Sequence, residues 1–228
     1  ARMKTDEGEV MGAEPGQPEP QTIPASQLRE WILKGELVLP QRTGGYLITG
    51  DLDLASVAVR QRVVIQGAEF QGELDAADAH FEFGLDLRSC RFGSDLVLER
   101  ARVAGPLWLD GAEFAPGAHL RADGLHTDGL CSADGLWLRG GDFCAANASI
   151  GGDLRLSSAE LHGRLEMPYA RIHGALFLQD SEKESEKTPV PARPFPLPTQ
   201  AEQDERSKSN PGITSALKCR DIRHWSAR

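Results

Sequence analysis

The sequence predicts an all-β fold, a parallel β-helix that extends from about residue 50 to residue 180. Three observations predict it. Apolar residues recur with a period of roughly eleven residues. Within each repeat two pairs of apolar positions lie two residues apart, so both members of a pair point to the same side of an extended segment. Successive pairs are five or six residues apart, which is too short for an intervening α-helix and suits a chain that turns a corner after each strand.

The chain before the repeats is predicted to form a tail and a short helix. Residues 1–21 are acidic and rich in Gly and Pro, with almost no large apolar side chain, and this composition predicts disorder. A helix is predicted over residues 25–34, with Ser26 as its N-cap and Gly35 as the residue that stops it.

The apolar face of this helix is predicted to cover the first coil. Leu28, Trp31 and Ile32 are spaced to share one side of the helix. The open end of a solenoid exposes core side chains and strand edges, so we expect the helix to be an N-terminal cap. A helix that binds a partner is the alternative. The first strands are predicted at residues 37–39 and 46–48.

The repeats follow the template G-x-L-x-L-x-x-A-x-F-x within a solenoid domain that spans residues 22–180 with its cap helix. The third, fifth and tenth positions are large and apolar, and the eighth is small. Leu136 and Leu138 are predicted at the third and fifth positions of one repeat, with Gly141 and Phe143 at its eighth and tenth. The predicted core side chains are Leu52, Leu54, Phe70, Leu74, Phe81, Leu85, Leu87, Phe92, Leu96, Leu98, Leu107, Leu109, Phe114, Leu136, Leu138, Phe143, Leu154, Leu156, Leu165 and Leu176.

Several of these units resemble those of a known family. Ala68-x-Phe70, Ala79-x-Phe81, Cys90-x-Phe92 and Ala112-x-Phe114 are similar to the small-x-Leu/Phe unit of pentapeptide-repeat proteins. The resemblance implies a right-handed, quadrilateral β-helix in which four short faces make one coil. The chain departs from the family pattern because every second unit carries an extra residue. Coils of about 22 residues, and roughly six of them, are therefore expected.

The chain after the repeats is predicted to be a second tail. Residues 181–228 are charged and rich in Pro, and residues 189–198 favour an extended polyproline II conformation. A stiff linker is the main interpretation, and docking of a PxxP segment is the alternative. Residues 213–225 form either a short helix or a frayed end.

No catalytic or cofactor motif is present in the sequence, which predicts no catalytic residue, no cofactor and no metal. The strongest candidate for a metal site is a group of potential ligands where the repeat register shifts. The group consists of His119, Asp123, His126, Asp128 and Cys131. The Asp-Gly pairs at 123–124, 128–129 and 134–135 are better explained as corners, because Gly adopts a left-handed conformation freely.

The remaining nucleophilic side chains receive structural interpretations. The cysteines at 90, 131, 144 and 219 show no CxxC spacing, so we expect reduced thiols. Cys90 occupies the small inward column and is interpreted as core packing, with a reactive thiol as the alternative. His162 and His173 occupy the eleventh position, where side chains are expected to face solvent.

Charge is the sequence feature with most bearing on function. The net charge is −9, which disfavours direct binding of nucleic acid. Acidic residues are expected on the outer walls at Asp51, Asp53, Glu69, Glu73, Asp75, Asp78, Glu82, Asp86, Asp95 and Glu99. Basic residues are interleaved with them at Arg60, Arg62, Arg88, Arg91, Arg100, Arg102 and Arg121. Such mixing is typical of an ordinary protein surface.

Three functions remain open. The first is a non-enzymatic scaffold that binds an unidentified protein partner. The second is an acidic rod that imitates duplex DNA and modulates DNA gyrase or another topoisomerase, as the resemblance to pentapeptide-repeat proteins implies. The third is a membrane-associated oxidoreductase, a label that similar G-x-L-x-L sequences carry, although no flavin, nicotinamide or metal motif supports it here.

The sequence also suggests a location and an assembly. No stretch reaches the roughly 18 consecutive apolar residues that would indicate a membrane span. The acidic, Gly/Pro-rich start does not resemble a signal peptide, so we expect a cytoplasmic protein. A homodimer formed through one end of the solenoid is possible.

Overall fold

The structure is a computed structural model that describes residues 20–35, 37, 39, 45–179 and 217–218. It confirms the predicted fold class, because short parallel strands stack into a β-solenoid with one short helix near the N-terminus. The strands form four sheets over about seven coils, and three of the sheets contain six strands each, which agrees with the roughly six coils predicted. Four sheets per coil are consistent with a pentapeptide-repeat-like fold. Of the tail predicted at 1–21, residues 1–19 lie outside the described residues, whereas Gln21 begins a strand, which corrects the prediction at that position. All of 181–228 except residues 217–218 also lies outside the described residues.

The elements have short and regular bounds. In chain order they are β1 (Gln21–Pro24), α1 (Ala25–Lys34), β2 (Tyr46–Thr49), β3 (Leu52–Asp53), β4 (Ala58–Val59), β5 (Val63–Val64), β6 (Ala68–Phe70), β7 (Leu74–Asp75), β8 (His80–Phe81), β9 (Leu85–Asp86), β10 (Arg91–Phe92), β11 (Leu96–Val97), β12 (Arg102–Val103), β13 (Leu107–Trp108) and β14 (Glu113–Phe114). They continue with β15 (Leu120–Arg121), β16 (His126–Thr127), β17 (Cys131–Ser132), β18 (Trp137–Leu138), β19 (Phe143–Cys144), β20 (Ser149–Ile150), β21 (Leu154–Arg155), β22 (Glu160–Leu161), β23 (Leu165–Glu166), β24 (Arg171–Ile172), β25 (Leu176–Phe177) and β26 (Leu217–Lys218).

Each sheet takes one strand from every coil. Sheet A stacks β1, β2, β6, β10, β14, β18, β22 and β26 in that order. Sheet B stacks β3, β7, β11, β15, β19 and β23, and sheet C stacks β4, β8, β12, β16, β20 and β24. Sheet D stacks β5, β9, β13, β17, β21 and β25. A coil therefore visits sheets B, C, D and A in turn, and its inward side chains meet those of the coils above and below.

The phenylalanines of sheet A illustrate the register. Phe70 lies opposite Phe92, and Phe92 lies opposite Phe114, with 22 residues between successive partners. Their rings stack with centroids 5.3 and 4.8 Å apart. Offset stacking of buried aromatic rings adds about 0.5–1.5 kcal/mol to the contribution of burial alone. The coil length predicted from the sequence is therefore correct over this part of the solenoid.

The register predicted around residues 136–143 is wrong. Leu138 lies opposite Phe114 and Leu161 in sheet A, which makes it a tenth-position residue and moves Leu136 to the eighth position. Phe143 lies opposite Leu120 and Leu165 in sheet B, at a third position, so Gly141 precedes it at a corner. The physical reason is that the chain between Phe114 and Leu120 is two residues longer than the equivalent chain between Phe92 and Leu96. The error is confined to residues 136–143, because Leu154, Leu161 and Leu165 stand in the structure at the positions predicted for them.

The predicted core side chains are buried except in the last coil. Leu165 is half-buried, and Leu176 is 45% exposed. Leu176 belongs to β25, the last strand of sheet D, and no described coil follows to cover it. Its assignment to the core is therefore corrected: the residue points inward but lies at an open end.

The corners use a left-handed residue at the seventh position of the repeat. Gly124 and Gly135 have φ angles of +68° and +67°, which confirms the interpretation of two of the three Asp-Gly pairs as corners. Gly129 does not share this conformation. A Cβ atom there would lie 2.7 Å from the backbone nitrogen of Pro106 in the previous coil, so close approach of two coils, and not a left-handed turn, explains this glycine.

The N-terminal end is covered by α1 and by an additional strand. The sequence did not predict β1, which lies parallel to β2 and begins sheet A. The helix α1 follows it, buries Leu28 and Ile32, and ends at Gly35, which has the expected left-handed conformation with φ +76°. The N-cap is Pro24 and has no side-chain hydrogen bond, so the assignment of Ser26 as the cap is wrong.

Side chains from the first coil fix this helix in place. The Nε2 atom of Gln61 donates hydrogen bonds to the carbonyl oxygens of Ile32 and Trp31, at 2.7 and 3.3 Å, where a helix has carbonyls without internal partners. The Nε atom of Arg29 donates to the carbonyl oxygen of Asp53, at 2.6 Å. The helix therefore lies against the coil end as predicted. Leu37 and Leu39 are described but belong to no strand, which corrects the strand predicted at residues 37–39.

The far end carries one short strand from the C-terminal segment. Leu217 lies opposite Leu161, and Lys218 lies opposite Glu160, in an antiparallel pair at the edge of sheet A. These two residues are therefore in a strand and not in the short helix considered for residues 213–225. The rest of that segment lies outside the described residues.

Candidate interaction surface

The most prominent exposed apolar group on the sides of the solenoid lies on sheet D. Trp108 occupies the outward position of β13, and Phe83 lies at the corner that precedes β9 and is 51% exposed. Both positions are usually polar in a half-exposed sheet, because the alternate positions of each strand already fill the core. We refer to Phe83 and Trp108, with the flanking Arg62 and Arg88, as the aromatic patch.

The patch is built on a close contact between coils. A Cβ atom at Gly84 would lie 2.8 Å from the carbonyl oxygen of Pro106 and 3.1 Å from Cζ3 of Trp108. Only glycine fits there without displacing a neighbour. The absence of a side chain at Gly84 therefore lets the indole of Trp108 lie close to the backbone of the preceding coil, next to Phe83.

Two arginines flank the indole ring. The guanidinium carbons of Arg62 and Arg88 lie 5.3 and 5.7 Å from the ring centroid of Trp108. At these distances a guanidinium interacts favourably with an aromatic face. Arg62, Trp108 and Arg88 thus present a cationic and aromatic surface that spans three coils.

Asp86 fixes the position of Arg88. Its carboxylate accepts hydrogen bonds from Nε of Arg88 at 2.9 Å, from a terminal guanidinium nitrogen of Arg88 at 2.7 Å, and from Nε2 of Gln66 at 2.8 Å. Burial alone would raise the pKa of Asp86, but these hydrogen bonds outweigh it and hold the pKa below its ordinary value. Asp86 was expected on the outer wall, whereas it is fully buried.

A cluster of carboxylates lies on sheet B at the first three coils. Asp51, Glu73, Asp75 and Asp95 occupy neighbouring outward and corner positions there. Burial, followed by the charges of Asp75, Asp95 and Asp51, raises the pKa of Glu73. We refer to these four residues as the acidic cluster. It ends at the fourth coil, where Arg121 takes the outward position and pairs with Glu99 at 2.9 Å.

Many acidic side chains bind the backbone of the next coil. A carboxylate oxygen accepts a hydrogen bond from the amide nitrogen of a residue 22 to 24 positions later, at 2.7 to 3.0 Å. The pairs are Asp51 with Glu73, Asp95 with His119, Asp110 with Asp134, Asp123 with Ala146, Asp134 with Ser157, Asp142 with Arg164 and Asp153 with Ala175. These carboxylates therefore hold corners together in addition to contributing charge.

The other faces do not continue the acidic cluster. The outward column of sheet C contains His80, Arg102, His126 and Arg171, all exposed. Elsewhere acids and bases pair, as in the ion pairs of Arg100 with Asp78 at 2.8 Å and Arg91 with Glu113 at 3.3 Å. The described surface is thus a mixture of signs with one acidic region.

The candidate metal ligands are separated by the fold. His119 precedes β15 in sheet B, His126 lies in β16 of sheet C, and Cys131 is buried in β17 of sheet D. Each has another role: Nδ1 of His119 accepts from the amide of Asp142 at 3.0 Å, and Nε2 of His126 lies 3.0 Å from Asp128. Within the described residues, no three His, Cys, Asp or Glu side chains are placed to hold a metal ion.

The thiols of the solenoid are not activated. Burial raises the pKa of Cys90 and of Cys131 to about 12, and burial and nearby carboxylates raise the pKa of Cys144. The Sγ atom of Cys90 donates to the carbonyl oxygen of Ile65 at 2.9 Å inside the core. A thiolate is the reactive form of cysteine, so the raised pKa values of these thiols disfavour nucleophilic reactions.

The two histidines predicted to face solvent do so. His162 and His173 are exposed. Nε2 of His162 lies 3.8 Å from Glu160, and Nδ1 of His173 lies 3.0 Å from the carbonyl oxygen of Ile150. Both sit at corners of the solenoid, where His162 lies near a carboxylate and His173 near a backbone carbonyl.

The aromatic patch was not identified from the sequence. Phe83 and Trp108 fall at the first and fourth positions of the repeat, outside the columns that define the core. That placement was the available signal, because a large aromatic residue at an outward position is exposed unless another segment covers it. The described part of the chain contains no helix long and apolar enough to cross a membrane. Comparisons with protein-family models, with characterised proteins and with solved structures give no match.

Proposed function

We propose that this protein is a non-enzymatic scaffold of the pentapeptide-repeat-like type that binds a protein partner through the aromatic patch on sheet D. The observation that carries the proposal is the exposure of Phe83, at 51%, beside an indole flanked by two arginines. Aromatic residues and Arg are the residue types enriched in protein interfaces and in their energetic centres.

The rigidity of the solenoid supports this role. Trp108 lies in a strand paired on both sides, with β9 and with β17, and Arg88 is held by the buried carboxylate of Asp86. Side chains fixed before binding lose less conformational entropy when a partner arrives. The patch therefore resembles a preorganised docking surface more than a mobile loop.

The partner is expected to present carboxylates around an apolar pocket. Phe83 would enter the pocket, and the carboxylates would approach Arg62 and Arg88, whose guanidinium groups remain partly accessible. A bidentate approach of a carboxylate to a guanidinium provides orientation as well as attraction.

Affinity capture with matched variants tests the proposal. The tagged full chain, Phe83→Ser and Leu33→Ser would be incubated with lysate from cells that express the protein natively, and bound proteins would be quantified. Leu33 is a suitable control because it is also an exposed apolar residue, at 42%, but lies on α1. We expect a partner that Phe83→Ser loses and Leu33→Ser retains. Equal recovery with both variants would contradict the proposal.

Imitation of DNA is a second candidate, and the acidic cluster on sheet B favours it. Its carboxylates could attract the basic groove of a topoisomerase such as DNA gyrase. The cluster covers only three coils, however, which corresponds to about 10 Å between its first and last layers. The arginine and histidine column on sheet C would face unfavourable charge in the same groove.

A supercoiling assay separates the two candidates. The full chain and a triple variant, Asp51→Asn, Glu73→Gln and Asp75→Asn, would be added to gyrase with relaxed plasmid. Imitation of DNA requires that the full chain inhibits or protects the enzyme and that the triple variant loses the effect. An oxidoreductase role, the third possibility from the sequence, would require a bound redox group, which the absorbance spectrum of the purified protein would reveal.

A further inference from the structure

The C-terminal end of the solenoid is an incomplete core. The last coil is formed by β23, β24 and β25, and its inward side chains are only partly buried: Leu165, Met167, Ile172 and Leu178 are half-buried, and Leu176 is exposed. The equivalent side chains of the preceding coils are buried. Tyr169 and Phe177 add exposed fractions of 84% and 36% next to this end. Contiguous apolar surface of this kind marks a site that another segment covers.

One part of this end is already occupied by the same chain. Leu217 and Lys218 pair with Leu161 and Glu160 at the edge of sheet A. This is the place that the sheet A strand of a further coil would take. Sheet A is therefore extended by a residue pair from the C-terminal segment, while sheets B, C and D end at β23, β24 and β25 among the described strands.

The direction of β26 leads toward the exposed end. Because β26 is antiparallel to β22, its C-terminal end points back along the coil toward Ser158. The carbonyl oxygen of Gln179 lies over Ser158 and accepts a hydrogen bond from its amide at 2.8 Å. The C-terminal end of β26 therefore points toward the corner that follows Leu178.

The composition of the residues that follow is complementary to this end. Residues 217–228 contain Ile222 and Trp225 among Arg220, Arg223 and Arg228. The end itself combines exposed apolar side chains with the exposed carboxylate of Glu160, whereas Glu166 pairs with Arg164 at 3.1 Å. The register also places residue Lys218 opposite Glu160, so residue types of opposite charge share this edge.

We propose that residues 217–228 dock on the last coil and close the C-terminal end of the solenoid, as α1 closes the N-terminal end. The occupant is the chain's own C-terminal segment. A second copy stacked end to end would need the edge of sheet A that Leu217 and Lys218 occupy. Closure in this way leaves the aromatic patch on the side of the solenoid available for a partner.

Disulfide trapping in the full chain tests the docking directly. Glu160→Cys and Lys218→Cys would be introduced together with Cys219→Ser, and oxidation would be followed on non-reducing gels and by mass spectrometry. The control places the second cysteine at Lys208, in the same background. We expect an intramolecular disulfide that forms at least about tenfold faster in the first variant, because a paired strand raises the effective concentration of the two thiols.

Two other outcomes of the trapping experiment would overturn the proposal. One is an equal rate for the two variants. The other is a disulfide-linked dimer as the main product, which would show that a second copy covers the end. Size-exclusion chromatography with light scattering of the unmodified chain gives the corresponding assembly state.

Hydrogen exchange provides an independent measurement that leaves the solenoid intact. The double variant Ile222→Ser and Trp225→Ser would be compared with Val190→Ser and Phe195→Ser, which alter apolar residues in the Pro-rich segment. We expect faster exchange in peptides from residues 165–178 only in the first variant. Unchanged exchange there, with circular dichroism that shows an intact fold in both variants, would contradict the proposal.

Discussion

Arg100 and Asp78 occupy the same corner position in successive coils, and their side chains form a bidentate ion pair with both hydrogen bonds at 2.8 Å. Both residues are left-handed, with φ angles of +54° and +57°. The ion pair thus joins two corners whose backbone is left-handed. Residues other than Gly, Asn and Asp rarely adopt this conformation.

This relationship predicts an unusual order of stability among variants of Arg100. Arg100→Ala removes the ion pair and keeps a Cβ atom in the left-handed conformation, whereas Arg100→Gly removes the ion pair and relieves that strain. We expect melting temperatures to fall in the order parent, Arg100→Gly, Arg100→Ala. Differential scanning calorimetry at low salt would measure it, and an Arg100→Gly variant less stable than Arg100→Ala would argue against strain at this corner.

The phenylalanine stack predicts that substitution of an inward phenylalanine lowers stability much more than substitution of an outward one. Phe92 is fully buried between Phe70 and Phe114, so Phe92→Ala should lower the free energy of unfolding by about 3–5 kcal/mol. Phe92→Asp should unfold the surrounding coil, because it would bury an unpaired carboxylate. Phe83→Ala is the control, with an expected change within about 0.5 kcal/mol. Urea denaturation provides the comparison, and equal effects at the two positions would contradict the inward assignment of Phe92.

Asp86 predicts a stability contribution that disappears in acid. Its pKa in the folded protein lies below the ordinary value, so its ionised form stabilises the fold above the unfolded pKa of about 3.9. The contribution is lost as the pH falls through the lower folded pKa. Asp86→Asn should therefore be less stable than the parent by about 1–3 kcal/mol at pH 7. The difference should shrink below about pH 4 in thermal or urea unfolding at a series of pH values.

Glu73 is expected to have the opposite effect on the pH dependence of stability. Burial and the carboxylates around it raise its pKa, so the ionised form destabilises the fold at neutral pH, and the stability that its protonated form contributes is present only in acid. Glu73→Gln should raise the melting temperature at pH 7 by up to about 3 °C. The gain should vanish below the unfolded pKa of about 4.3. A gain that persists at pH 3 would indicate a cause other than charge.

The buried thiols predict slow chemical modification. With a pKa of about 12, Cys90 and Cys131 would be about one part in ten thousand thiolate at pH 8, and both side chains are buried. In a Cys144→Ser and Cys219→Ser background, a chromogenic disulfide reagent should detect almost no modified thiol until denaturant is added. Rapid reaction of the native protein would indicate that the solenoid opens locally.

The solenoid architecture could be predicted because the same pattern of apolar positions repeats along the chain. Phe70, Phe81 and Phe92 follow one another at 11-residue steps and Phe114 follows after 22, and each must face the core for the pattern to bury apolar area. The prediction was wrong after Phe114 because Cys131 and Ala133, which occupy the third and fifth positions of sheet D, are small and resemble corner residues. Leu136 and Leu138 in sheet A were then assigned to the third and fifth positions, whereas the next third-position residue is Phe143 in sheet B.

Other features depend on long-range contacts that a local pattern does not encode. β1 has the sequence Gln-Thr-Ile-Pro, which alone favours no strand, and it forms because β2 offers an unpaired edge. The aromatic patch requires the backbone of Gly84 to lie beneath Trp108, which sits 24 residues later in the chain. Asp86 depends in a similar way on Gln66, which donates a hydrogen bond to it from 20 residues earlier in the chain.

The constant spacing from Phe70 to Phe92 to Phe114 also makes the length of the rod adjustable. Excision of one 22-residue turn between equivalent residues would rejoin matching strands in all four sheets and leave both ends unchanged. Each such step would shorten the molecule by about 4.8 Å. The number of turns therefore sets the distance between the aromatic patch and each end of the solenoid.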